Sequence, residues 1–127
     1  MVEEALVDGR IDAGERLIKA LDVAGFAVKA ALWLYYPDME RWRLVIAPKA
    51  KMTDLVEAYL LIVRSLRDLD IPADVLDSAV VNLVQPDDQL LSGISMFRVE
   101  GNARVRLRQN WLNGVYLEDA LVYRNAA

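Results

Sequence analysis

The dipeptide Asn113-Gly114 lies between two segments with strand-like alternation, residues 103–112 and 115–124. Asn-Gly is strongly favoured at the two central positions of a type I′ turn, because the twist of that turn matches the twist of the strands that it joins. The C-terminal quarter of the chain is therefore predicted to form a β-hairpin.

Counting outward from this turn assigns each residue of the hairpin a partner and a face. Arg104, Arg106 and Arg108 are predicted to lie opposite Tyr123, Leu121 and Asp119, in that order. Strand alternation turns the three arginines outward and directs the intervening residues to the core: Val105, Leu107, Gln109 and Trp111.

The outer face of the hairpin is the best candidate site in the sequence, because arginine and tyrosine are enriched where protein surfaces dock. The predicted interface comprises Arg104, Arg106, Arg108, Leu117, Asp119, Leu121 and Tyr123. The alternative is that helices cover part of this face, while the arginine stems lie along apolar neighbours and their charged ends reach water.

Composition narrows the function classes. The 127 residues are 55% hydrophobic, which favours one α+β domain, residues 1–127, with a substantial core. Cysteine and histidine are absent, so disulfides, histidine-based triads and zinc sites are excluded, and we expect no metal and no cofactor.

The net charge of −4 makes nucleic acid an unexpected partner. The amino terminus is acidic, and the longest apolar run, residues 30–36, is far shorter than the roughly 20 residues that a bilayer needs. We therefore expect a cytoplasmic protein without membrane contact. The charge is unevenly distributed, with six acids in residues 68–88 and five arginines in residues 98–127. Two such segments of opposite charge can pair within one molecule or between two. The expected partner is therefore a second copy (a homo-oligomer) or another protein.

Periodicity predicts the elements along the chain. Helices are expected over residues 3–24, from Thr53 as N-cap to residue 66 or 68, and over residues 86–97; strands are expected over residues 28–36, 42–47, 79–84 and in the hairpin. The fold is thus a largely antiparallel five-stranded sheet with about three helices packed mainly on one face, in the order α-β-β-α-β-α-β-β. Residues 94–99 fit a strand as well as a helix.

Two glycines lie in the first helix. Gly9 and Gly14 each weaken it by about 1 kcal/mol relative to alanine, so a break near Asp8-Gly9 is one expectation. Their spacing is that of a phosphate-binding loop, but Glu15 and Arg16 follow where lysine and serine or threonine are required.

The second helix is apolar on nearly all sides. An apolar stripe runs along one side of this helix at helical spacing. It is widened by further apolar residues on its flank: Val56, Leu60 and Leu61. We expect the helix to pack against both the sheet and the first helix. The alternative is a second docking surface.

Carboxylates and a lysine supply the catalytic candidates. Asp38, Glu40 and Lys49 resemble a metal-dependent nuclease pattern in part, but Ala47 occupies the position of the required strand acid. Glu118 is predicted to point toward the core, where a carboxylate needs hydrogen bonds or a raised pKa.

Three functions follow from these features. The first is a non-enzymatic module that self-associates or docks a protein through the hairpin. The second is a hydrolase or nucleic-acid-processing enzyme, which requires Asp38, Glu40, Lys49 and Glu118 within about 8 Å of one another in one pocket. The third is a small-ligand-binding domain with a pocket between sheet and helices, lined by Trp33, Trp42 or Trp111, although such tryptophans are more often core residues.

Overall fold

The structure is a computed structural model that describes residues 6–94, Val99, 103–112 and 114–125. Its helices are α1 (Asp8–Val23), α2 (Leu55–Asp68) and α3 (Gln89–Gly93), and its strands are β1 (Val28–Tyr36), β2 (Arg41–Pro48), β3 (Val81–Leu83), β4 (Val105–Leu112) and β5 (Val115–Asn125). A short 3₁₀ turn, Ser78–Val80, precedes β3. This order confirms the predicted α+β class.

The five strands form one sheet in the order β3-β2-β1-β5-β4. All neighbouring strands are antiparallel except β2 and β3, which are parallel. The parallel pair arises because α2 lies between β2 and β3 in the chain and carries it back across the sheet. Strand β1 is central and almost entirely buried, as its two apolar faces predict.

Each face of the sheet contributes to a hydrophobic core. Helices α1 and α2 cover one face, where the buried residues include Leu17, Ile62, Trp33 and Trp42. Helix α3 and Ile94 cover the other face, against Leu32 and other residues of β1, β2 and β5. Trp33 and Trp42 are therefore core residues.

The ends of the helices are set by local hydrogen bonds and backbone geometry. The N-cap of α2 is Asp54, one residue after the predicted Thr53, and its carboxylate accepts a hydrogen bond from the Glu57 amide at 3.0 Å. Helix α1 begins at Asp8, directly after an extended Val7, so the predicted break near Asp8-Gly9 lies within one residue of the observed helix start. Leu6 and Val7, which were expected within the helix, precede it, and the helix continues through both of its glycines.

Helix α3 ends at Gly93, although a helix was predicted to residue 97. Residues 95–98 lie outside the described residues. Val99 forms one antiparallel bridge with Asn125.

A chain of hydrogen bonds joins α1 to the sheet. The indole Nε1 of Trp33 donates to the hydroxyl oxygen of Tyr123 at 2.7 Å, and this hydroxyl donates to the carbonyl of Ile11 at 2.5 Å. A Cβ at Gly14 would lie 2.6 Å from the same oxygen, so the close approach of helix and sheet requires glycine there. Burial also raises the pKa of Tyr123 far above its ordinary value.

Candidate functional site

The C-terminal hairpin has the predicted register. Arg108 lies opposite Asp119, Arg106 lies opposite Leu121, and Leu112 lies opposite Val115. Asn113 itself lies outside the described residues. The register therefore confirms the pairing that was counted from the Asn-Gly dipeptide.

The alternation of faces changes within the hairpin at Gln109. The φ angle of Gln109 is +48°, in the left-handed region, and the ladder resumes beyond it at Asn110 and Leu117. Before Gln109, an odd-numbered residue of β4, Leu107, faces the α3 side of the sheet. Beyond Gln109, the even-numbered Leu112 faces that side, together with Leu117 of β5. We call this change the Gln109 kink.

The Gln109 kink reverses the predicted orientations of Leu117 and Trp111. Leu117 was expected on the outer face but is buried in the core on the α3 side. Trp111 was expected in the core but is 72% exposed. Uninterrupted alternation gives the opposite result for both residues, since a shift of one residue exchanges the faces of a strand.

Two other predicted interface residues have the expected orientation but are covered. Leu121 and Tyr123 are buried in the core between the sheet and α1. The expected apolar area beside the arginines is therefore absent at these two positions. The alternative interpretation, that helices cover part of this face, is correct for them.

The three arginines all contact groups on the α1 side of the sheet, and each has an acidic partner. Arg104 forms an ion pair with Glu15 of α1, and hydrogen bonds from Arg104 and Lys19 lower the pKa of Glu15. Arg106 donates from Nε and Nη2 to the two carboxylate oxygens of Asp119, at 2.6 and 2.7 Å. Its guanidinium also lies 5.4 Å from the centroid of Trp42. Arg104 and Arg106 thus link the hairpin to α1 and β4 to β5.

An exposed patch remains on the distal half of the hairpin. It consists of Arg108, Trp111 and Tyr116, which we call the hairpin patch. The side chain of Arg108 is 68% exposed and lies 3.6 Å from Asp119, which already accepts two shorter bonds from Arg106.

The two aromatic residues of the hairpin patch form a cross-strand pair. Trp111 lies opposite Tyr116, and their ring centroids are 5.1 Å apart. The Tyr116 hydroxyl donates to Glu118 at 2.9 Å, and this bond to a carboxylate raises the pKa of Tyr116. Sequence reasoning did not single out Tyr116 and directed Trp111 to the core, because only the Gln109 kink places the two rings outside.

The catalytic candidates do not converge. Asp38 and Glu40 lie in the turn before β2, whereas Lys49 follows its other end. Eight strand residues span about 26 Å, so Lys49 is far from both acids. Glu118 is half-buried and contacts Tyr116 of the hairpin patch, so its predicted orientation toward the core is wrong. Within residues 6–94, 99, 103–112 and 114–125, no three carboxylates lie close enough together to hold a metal ion.

A groove lies between the α1–β1 turn and the beginning of α2. Its volume is about 550 Å³, and its lining includes Phe26, Lys49, Met52, Leu61 and Arg64. None of the three tryptophans lines this groove. The tryptophan-lined pocket that was expected of a ligand-binding domain is therefore not at this position.

In the described part of the chain, no helix has both the length and the apolar content needed to cross a bilayer. Comparisons of the chain with protein-family models, with curated proteins and with solved structures find no match.

Proposed function

We propose that this protein is a non-enzymatic docking module that binds another protein through the hairpin patch. The observation that carries the proposal is the 72% exposure of Trp111 on a hydrogen-bonded strand. Tryptophan, tyrosine and arginine are the residue types that dominate the binding energy of protein interfaces, and the hairpin patch combines all three.

The two aromatic side chains of the hairpin patch already contact each other in the free chain. Trp111 packs against Tyr116, and the Tyr116 hydroxyl is held by Glu118. Because the ring contact and the hydrogen bond restrict the rotamers of these two side chains, association is expected to cost less entropy than it does at a flexible loop.

The chemistry of the hairpin patch defines the partner. The indole and phenol rings offer apolar area, which a flat or concave apolar surface covers best. Arg108 has the longer of the two ion pairs with Asp119, so an acidic side chain of the partner gains a charge-assisted hydrogen bond from it. The expected partner surface is therefore apolar with an acidic group at its border.

Site-specific photo-crosslinking tests this proposal. Trp111 is replaced by a photoreactive phenylalanine analogue in cells, and the same analogue is placed at Val23, an almost fully exposed residue of α1, as the matched control. The proposal expects one protein to be crosslinked from position 111 and not from position 23. Calorimetry with that purified protein should then show at least a tenfold loss of affinity on Trp111→Ala, the usual effect of truncating a hot spot of about 2 kcal/mol.

Three results would contradict the proposal. The same crosslinked products from both positions, or an unchanged affinity in Trp111→Ala, would refute the docking role of the hairpin patch. A product that contains only a second copy of the chain would replace the proposed foreign partner with self-association.

A further inference from the structure

Helix α2 exposes a continuous apolar stripe. Val56, Leu60 and Val63 are 71%, 48% and 45% exposed, and we call these three residues the α2 stripe. The side of the helix that packs on the sheet carries other residues, Ala58, Ile62, Ser65 and Leu66. Helix α2 packs against both the sheet and α1, as predicted, but this packing leaves the α2 stripe uncovered. Single exposed apolar residues are ordinary, but a contiguous stripe marks an interaction surface.

The α2 stripe is nearly symmetric about Leu60. Val56 precedes Leu60 by four residues and Val63 follows it by three, so they lie about 6 Å and about 4.5 Å from it along the axis on one face of the helix. A two-fold axis beside Leu60 that brings in an antiparallel second α2 places Val56 against the Val63 of the other copy. It also places the two Leu60 side chains together. Such self-complementarity is the requirement of an isologous dimer interface.

The charges beside the α2 stripe have the same symmetry. Glu57 and Arg64 lie about 60° and 40° around the helix from Leu60, both on the same side of it. The two-fold axis keeps a given side of one helix on the same side of its partner, so Glu57 of each copy meets Arg64 of the other. Within one chain these groups form a 3.6 Å ion pair with side chains 66% and 52% exposed. The positions of Glu57 and Arg64 therefore favour a second copy of this chain over a partner of unrelated sequence.

The surroundings of the α2 stripe leave room for a second helix. An apolar hollow of about 290 Å³ lies between α2 and the turn that precedes β3, and it is lined by Leu55, Val56, Tyr59, Leu60, Val63 and Ser78. Tyr59 bonds to the backbone of β3 through its hydroxyl, which fixes the floor of the hollow. Side chains of an approaching helix can enter it without displacing the fold.

We propose that α2 is a homodimerisation surface. Two copies pack antiparallel through the α2 stripe, and two Glu57–Arg64 ion pairs close one side of the contact. A single pair of helices buries less area than a permanent dimer does, so the association is concentration-dependent. The α2 stripe lies at the β3 edge of the sheet, whereas the hairpin patch lies at the β4 edge, so this dimer is independent of the docking function.

Sedimentation equilibrium tests the proposal. Over a range from about 1 µM to about 1 mM, the mean mass of the wild-type protein is expected to rise from one chain toward two. Leu60→Glu is expected to stay monomeric throughout this range, because it places two like charges at the centre of the contact. Val23→Glu, an equally drastic change at another exposed valine, is the control and should dimerise like the wild type. Circular dichroism confirms that each variant is folded.

A charge-reversal cycle tests the antiparallel arrangement itself. Glu57→Arg and Arg64→Glu are each expected to weaken dimerisation about tenfold, since each change creates two like-charge contacts. The double variant restores both pairs and should return to within about threefold of the wild type. A wild-type protein that stays monomeric, a Leu60→Glu dimer, or a double variant as weak as the two single variants would overturn the proposal.

Discussion

The hydrogen-bond chain between α1 and the sheet makes Tyr123→Phe a sensitive perturbation. The change removes one oxygen atom, which accepts from the Trp33 indole and donates to the Ile11 carbonyl. Trp33 is fully buried, so its Nε1–H loses its partner in a place that water does not reach. An unpaired buried donor costs about 1–3 kcal/mol. The Ile11 carbonyl loses less, because it lies within a helix and still has the regular geometry for accepting a helical hydrogen bond. We expect a loss of about 2 kcal/mol in the free energy of unfolding.

Urea unfolding followed by far-ultraviolet circular dichroism measures this loss. The midpoint should fall while the slope of the transition stays unchanged, and the melting temperature should drop by about 6–10 °C for a domain of this size. Tyr116→Phe is the matched control, because it removes the same atom from an exposed ring and should not change the midpoint. Equal midpoints for the two variants would refute the structural role assigned to the Tyr123 hydroxyl.

Three further predictions concern other parts of the fold. Gly14→Ala should destabilise the protein by at least about 1 kcal/mol despite the better helix propensity of alanine, because the added Cβ would overlap Tyr123. Gly9→Ala has open space around the added Cβ and should be neutral or stabilising. Equal urea midpoints for the two variants would contradict this prediction. The pKa of Glu15 is below its ordinary value of 4.5, so its ion pair with Arg104 stabilises the fold above that value and this contribution is lost as the pH falls through the lower folded-state pKa. Glu15→Gln should therefore flatten the fall of the urea midpoint in acid, and an unchanged slope would count against the pair. Gln109→Val should cost about 1–2 kcal/mol because a β-branched residue resists positive φ, while Gln109→Gly should not, and thermal unfolding that ranks the two variants in reverse would show that the Gln109 kink is not strained in this way.

The sequence predicts the elements and the hairpin register well, because these depend on local signals. Asn113-Gly114 sets the pairing of Arg108 with Asp119, and that pairing is present. The apolar faces of β1 likewise predict a central strand. The Gln109 kink could not be predicted, because glutamine does not mark positive φ as glycine or asparagine does, and the faces of Trp111 and Leu117 depend on it.

The candidate site was predictable only in part, because its details depend on contacts between distant segments. Arg104 forms its ion pair with Glu15, which lies 89 residues earlier in the chain. No local sequence pattern predicts a contact over such a separation. The second helix shows the same limit. Its excess of apolar residues was visible in the sequence, but only the docking angle of α2 decides that Val56 and Leu60 stay outside.

The Gln109 kink also lies on an edge strand of the sheet, where further chains could add by strand pairing. Strand β4 forms the long edge of the sheet, and the opposite edge, β3, has three residues. An edge that is flat and regular templates the stacking of further chains into fibrils, and a local irregularity next to charged side chains such as Arg106 and Arg108 prevents the continuous pairing that stacking needs. The same backbone distortion that turns Trp111 to the solvent is therefore expected to hinder the stacking of further chains on this edge.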